Sequence, residues 1–238
     1  MILIEHGALF TALDGRLGEL ASGYLAVEGD RIAALGAGDA PDEWRQRAGR
    51  VIDAQHVVVL PGLVNGHTHL SQTFLRGQAD DRPLIRWLKE VIWPAQAADG
   101  SGPNNSQDLL ECAKIGALLA KHVAVDAHAM VAADVIRMMT TDGARLWDRP
   151  HEPRPQGLTP GAPADITLVN LNTVRCQPVH RVAAAVAYNA SGPDVHSVIV
   201  GGELLLDAGR VTMLDEAALL ETCRDAAARL LKRAAISV

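Results

Sequence analysis

Aromatic side chains are scarce: Phe, Tyr and Trp together make up 3% of the 238 residues. A core with so few rings rests on Ala, Val, Leu and Ile, and the 48% hydrophobic content supplies them in ordinary globular measure. Basic charge is also short. Lys and Arg number 22 against 28 Asp and Glu, a formal charge of −6 with no local Lys/Arg run. That balance excludes a nucleic-acid partner, which needs a concentrated basic face. No stretch approaches 18 uninterrupted apolar residues, so no membrane span is expected. The start, Met1-Ile2-Leu3-Ile4-Glu5-His6, lacks the basic region and long apolar run of a signal peptide. The three cysteines, Cys112, Cys176 and Cys223, stand far apart and form no CxxC. That excludes a zinc ribbon and reads as reduced thiols in a cytoplasmic protein.

What is present divides along the chain. Strands are expected over the first sixty residues: Tyr24 to Glu28 and Arg31 to Leu35 flank the two-residue hairpin signal Gly29-Asp30. Arg50 to Asp53 and Val57 to Leu60 read as two more, the last a continuous apolar run suited to a strand covered on both faces. The middle turns helical. Leu84, Ile85, Leu88, Val91 and Ile92 recur at helix spacing up to Pro94. Leu109, Cys112, Ala113, Gly116 and Leu119 mark a second helix with Asn105 or Ser106 as N-cap, and Ala132 to Thr140 a third. Five prolines between Arg149 and Pro163 make that stretch a loop. Strands return at Asp165 to Asn170, His196 to Val200, Glu203 to Leu206 and Arg210 to Met213. A final helix is capped by Asp215, with Leu219, Leu220, Cys223, Ala226, Ala227, Leu230 and Leu231 as its apolar stripe.

Chemistry is concentrated at His67-Thr68-His69, directly after an apolar strand. Residues i and i+2 of a strand point the same way, so two imidazoles can take adjacent positions on one metal ion. Gly62 and Gly66 let the backbone turn there. Two histidines two apart carry little weight alone among nine in the chain; their flanks decide the matter. Val59-Leu60-Pro61-Gly62-Leu63-Val64-Asn65-Gly66-His67-Thr68-His69-Leu70 resembles the metal motif of the amidohydrolase superfamily. The continuation Ser71-Gln72-Thr73-Phe74-Leu75-Arg76-Gly77, with Trp87-Leu88 and Ile92-Trp93-Pro94, resembles its N-heterocycle branch of deaminases and dechlorinases. Asp99-Gly100, Asn104-Asn105-Ser106-Gln107-Asp108-Leu109-Leu110-Glu111, Thr141-Asp142-Gly143-Ala144-Arg145 and Gly161-Ala162-Pro163-Ala164-Asp165-Ile166 resemble later segments of the same branch.

The resemblance implies an α/β chain in which a (β/α)8 barrel is joined to a composite β-sandwich built from both termini. It implies one divalent ion, zinc or iron, with His67 and His69 as first-strand ligands and Asp99 as the eighth-strand aspartate, ligand and proton shuttle. Gln72, Trp87 and Asn104 match positions near the substrate pocket. The bound ion acidifies a water for attack on a ring carbon bearing an amino or halide leaving group. The substrate would be a small heterocyclic amine of purine, pterin or triazine type.

One dimension disagrees. A barrel needs about 250 residues, and Val57 to Gly157 supplies 101. The resemblance passes from the first strand–helix unit straight to Asp99, leaving strands two to seven and their ligands without counterparts. The expected layout is therefore a truncated barrel: residues 1–57 and 158–213 form the sandwich, 58–157 the barrel remnant and 214–238 the C-terminal helix. The alternative to an active hydrolase is an inactive remnant, or a subunit completed by another chain, and a homo-oligomer stays open. His122, Asp126 and His128 alternate as a strand would and could serve as substitute ligands, though the resemblance places a loop or helix entry there. His6, His56, His151, His180 and His196 carry no ligand spacing.

Overall fold

In the computed structural model, the described residues are 1–13, 16–66, 83–94, 108–147 and 157–234. Along the chain run β1 (Ile2–Leu13), β2 (Arg16–Glu28), β3 (Arg31–Ala37), α1 (Asp42–Arg47), β4 (Arg50–Asp53) and β5 (Val57–Pro61). Then come α2 (Leu84–Trp87) with a π-helical stretch Leu88–Ile92, α3 (Leu109–Ala124), α4 (Ala132–Met139) and α5 (Thr141–Ala144). After them follow β6 (Ile166–Asn170), α6 (Val182–Tyr188), β7 (Val195–Val200), β8 (Glu203–Asp207), β9 (Arg210–Val211) and α7 (Glu216–Arg233). They divide into two compact units, residues 1–66 with 108–212, and residues 67–107 with 213–238.

The first unit holds one mixed α/β arrangement around one sheet, ordered β3-β2-β1-β5-β6-β7-β8-β9, with β4 pairing β1 beside that path. Strands from the two ends of the sequence meet where β5 pairs antiparallel with β6, Val57 opposite Asn170 through Pro61 opposite Ile166. β1 changes partner midway. Residues Ile2 to Glu5 run parallel to β4, and Ala8 and Leu9 run parallel to β5. A bulge lies between, with His6 in the left-handed region at φ 65°. Gly7 follows because an added Cβ would lie 2.8 Å from Val59 Cγ2.

β5 is buried along its whole length, and its side chains alternate between two cores. Val58 and Leu60 join Phe10 and Val169 under α3, α4 and α6, packed with Leu110, Ala117, Ile136, Met139 and Val186. Val57 and Val59 face the other way, among Ile4, Leu25, Ile32, Leu158, Ile166, Leu168 and Ile199. A continuous apolar run is what such a strand needs. α1 closes the end of the sheet: Trp44 and Ala48 pack on Leu3, Ala26 and Ala40, and Arg45 reaches the buried Glu5 at 2.8 Å.

Some expectations need correction. The N-cap of α3 is Asp108, whose carboxylate accepts from the Glu111 N–H at 3.1 Å; Asn105 and Ser106 lie outside the described residues. The cap of α7 is Asp215 as expected, accepting from Ala217 and Ala218. Within its stripe Leu230 is buried, packing with Trp87, Leu88, Val91, Leu231 and Ala234 in the second unit, Cys223, Ala226 and Ala227 are half-buried, and Leu219 and Leu220 are exposed. The stretch from His122 to His128 is no strand. α3 continues to Ala124, and Val125 ends it in the left-handed conformation.

Candidate functional site

The approach to the His-Thr-His motif is fixed by backbone contacts. As β5 ends, the Gly62 N–H donates to the Asp165 carbonyl at 2.7 Å, and the Val64 N–H donates to the Met139 carbonyl at the end of α4 at 2.8 Å. The strands come so close that a Cβ on Gly62 would sit 2.9 Å from Asp165 Cβ and 3.2 Å from its backbone. Asp165 is itself held, its carboxylate accepting from the Gly201 N–H at 2.8 Å. A Cβ on Gly66 would meet Leu146 Cδ1 at 2.7 Å. Close approach to the Asp165 backbone therefore requires Gly62, whereas at Gly66 the contact is with the tip of an exposed leucine that can swing away.

Later in the sequence, Asp108 is held twice. One oxygen of Asp108 caps α3, and the other accepts from the Gly192 N–H at 2.7 Å, joining this helix start to the turn before β7. His67, His69, Gln72, Asp99 and Asn104 lie outside the described residues. Trp87 is described: it is half-buried on α2, in the apolar cluster with Val91 and Leu230. Among the described residues no three His, Cys, Asp or Glu side chains gather as a metal site. His128 Nδ1 lies 3.4 Å from Asp126 Oδ1 in an exposed turn, which is a local pairing.

Sequence reasoning missed one cavity. It has a volume of about 300 Å³ and lies where the β1 bulge meets the β4–β5 turn, lined by His6, Gln55, His56, Val58, Leu171 and Gln177 among others. His6 Nδ1 is 2.9 Å from Asp53 Oδ1. The Asp53 hydrogen bond holds the His6 imidazole above its usual value, and that bond with the Gln55 N–H holds Asp53 below the usual carboxylate value. These residues stand 47 apart in sequence, so no spacing rule could pair them. Its apolar walls include Val58 and Leu171 of the core, and the Gln177 side chain donates to the Leu171 carbonyl at 3.1 Å.

Comparison with known proteins bears on the chain as a whole. Residues 95–205 match the amidohydrolase family. A 5'-deoxyadenosine deaminase of Methanococcoides burtonii is 42% identical over 96 residues, which are 40% of this chain and 21% of that protein. A 5-methylthioadenosine/S-adenosylhomocysteine deaminase of Pelotomaculum thermopropionicum is 43% identical over 96 residues, 40% of this chain and 22% of that protein. The matched stretch thus spans about a fifth of the length of these curated relatives. Among solved structures, a zinc-bound adenosine deaminase from Xanthomonas campestris superposes with a TM-score of 0.84 at 18% identity, covering 97% of this chain and 98% of that one. An atrazine chlorohydrolase from Arthrobacter aurescens, complexed with zinc and atraton, superposes at 0.68 with 14% identity, covering 97% and 100%. At those identities the superpositions speak for the fold alone; the sequence matches make the chain similar to the amidohydrolase family over residues 95–205 and to these deaminases over 40% of its length.

Proposed function

We propose that the chain serves metal-dependent hydrolysis of a C–N bond in a small heterocyclic amine of the adenosine type. The observation that carries this reading is the stretch more than 40% identical to two deaminases that act on 5'-deoxyadenosine and on 5-methylthioadenosine or S-adenosylhomocysteine. His67, His69 and Asp99 supply two imidazoles and a carboxylate, a donor set that fits a divalent zinc or iron ion. When bound, the ion supplies Lewis acidity at the reacting centre. Asp99 holds and returns the proton at its carboxylate, and Gln72, Trp87 and Asn104 orient the ring. Three free cysteines suit a reducing, cytoplasmic setting.

A second reading has its own support: a barrel remnant spanning 58–157 between the two halves of a composite β domain, inactive or completed by another chain. The matched stretch is about a fifth of the relatives' length, and among the described residues no named strand lies between Pro61 and Ile166. One experiment separates the two. Purified chain is loaded with zinc, freed of excess metal and assayed for metal content and for deamination of 5'-deoxyadenosine and 5-methylthioadenosine. The first reading expects close to one zinc per chain and turnover, with His67→Ala weakening zinc by more than about a hundredfold and Asp99→Asn abolishing turnover. Zinc without turnover supports the second reading; neither zinc nor turnover defeats the metal site altogether.

A further inference from the structure

α3 is apolar on two opposite sides. At 100° per residue, Leu110, Ala113 and Ala117 fall on one side and are buried against α4 and α6. Cys112, Ile115, Leu119 and His122 follow a 3-4-3 spacing on the other, flanked by Leu118 and Val123. Here Ile115 and Leu119 are each 58% exposed, Leu118 50% and Val123 74%. A helix apolar all round belongs between two packed layers, and contiguous exposed side chains of this size mark an interaction surface.

We propose that this outer face of α3 is a dimer surface, on which α3 of a second copy of this chain packs antiparallel about a two-fold axis. The pattern is self-complementary, as a two-fold interface requires. A two-fold axis on the outer face at the level of Ala117 brings Ile115 against the second copy's Leu119 and Glu111 beside its His122. Charge selects the direction. Glu111 lies at the start of the face and His122 at its end, and neither side chain has a partner among the described residues. Lys121, by contrast, is engaged by the Tyr188 hydroxyl at 2.6 Å. A parallel pairing would stack Glu111 on Glu111; the antiparallel one gives each carboxylate an imidazole N–H, twice by symmetry. The helix has 16 residues, about 24 Å, so the contact is at the small end of specific interfaces and the dimer is weak.

Sedimentation equilibrium of the full chain from about 1 to about 200 μM tests this, since a small interface dissociates within that range. The expected result is a mass rising from one chain toward two. I115K/L119K should remain monomeric throughout with an unchanged melt, because both positions are exposed. E111K should weaken association by about fivefold or more, and E111K/H122E should restore it. A monomer at every concentration overturns the proposal, as does a dimer indifferent to I115K/L119K. If the double lysine variant melts early, the charge swap decides: no rescue overturns the proposal.

Discussion

His6 occupies a left-handed backbone position that β-branched side chains avoid, and its ring clasps Asp53 at the end of β4. Because Asp53 raises the His6 pKa, His6 contributes stability that is full below the unfolded histidine value and lost as pH rises through the folded one. Asp53 is depressed, so its share is present above the unfolded carboxylate value and lost as pH falls through the folded one. The two windows overlap between about pH 4 and about pH 6.5. Asp53→Asn should therefore cost most there, a few tenths to about 1 kcal/mol for a pair this exposed, and progressively less on either side. Urea melts of wild type and variant at pH 3, 5.5 and 8.5 check it; a penalty independent of pH would mean that the imidazole contributes shape alone. Nothing in the sequence announced this pair. A single histidine in a strand carries no ligand spacing, and only the sheet brings it to Asp53. Gly62 was legible as a glycine that matters, but the reason, contact with Asp165, is tertiary.

At the scale of elements, legibility follows how local the signal is. The Gly29-Asp30 hairpin, the doubly covered β5, the third helix and the Asp215 cap rest on turn residues, apolar runs and cap chemistry, and each is where the sequence placed it. α1 and α6 carry no such signal: α1 has six residues and buries none, and α6 is an Ala/Val run without clear periodicity. The stripe on α7 was legible as a stripe, but what covers it is a matter of tertiary packing. β5 supports a sharper test. Leu60 faces the core under the helices, and Leu168 on the neighbouring β6 faces the opposite one; both are fully buried. Leu60→Ala and Leu168→Ala should each cost about 2–5 kcal/mol. If the sheet were covered on one side only, one of the two would be nearly silent in a denaturant melt.

For the whole molecule, stability and the proposed chemistry lie on different parts of the chain. Among the described residues, three of the four apolar clusters are formed entirely by residues 1–66 and 108–212, with backbone hydrogen bonds tying Gly62 to Asp165 and Val64 to Met139. His67, His69 and Asp99 all fall within 67–107. Replacing residues 67–107 with a flexible linker of about 20 residues adds little closure entropy, because that cost grows only with the logarithm of loop length. The shortened chain, also ended after Thr212, should keep a cooperative melt while losing all zinc affinity. The full chain with His67→Ala should lose the metal too, yet melt like wild type in the presence of a chelator. Far-UV circular dichroism, thermal melts and metal analysis on the two variants measure both halves of this expectation. If the linker variant fails to fold while His67→Ala folds normally, the excised segment and the last helix support the sheet, and stability and the candidate ligands share one part of the chain. If it folds and still holds zinc, the ligands are elsewhere, and His67, His69 and Asp99 lose their assigned role.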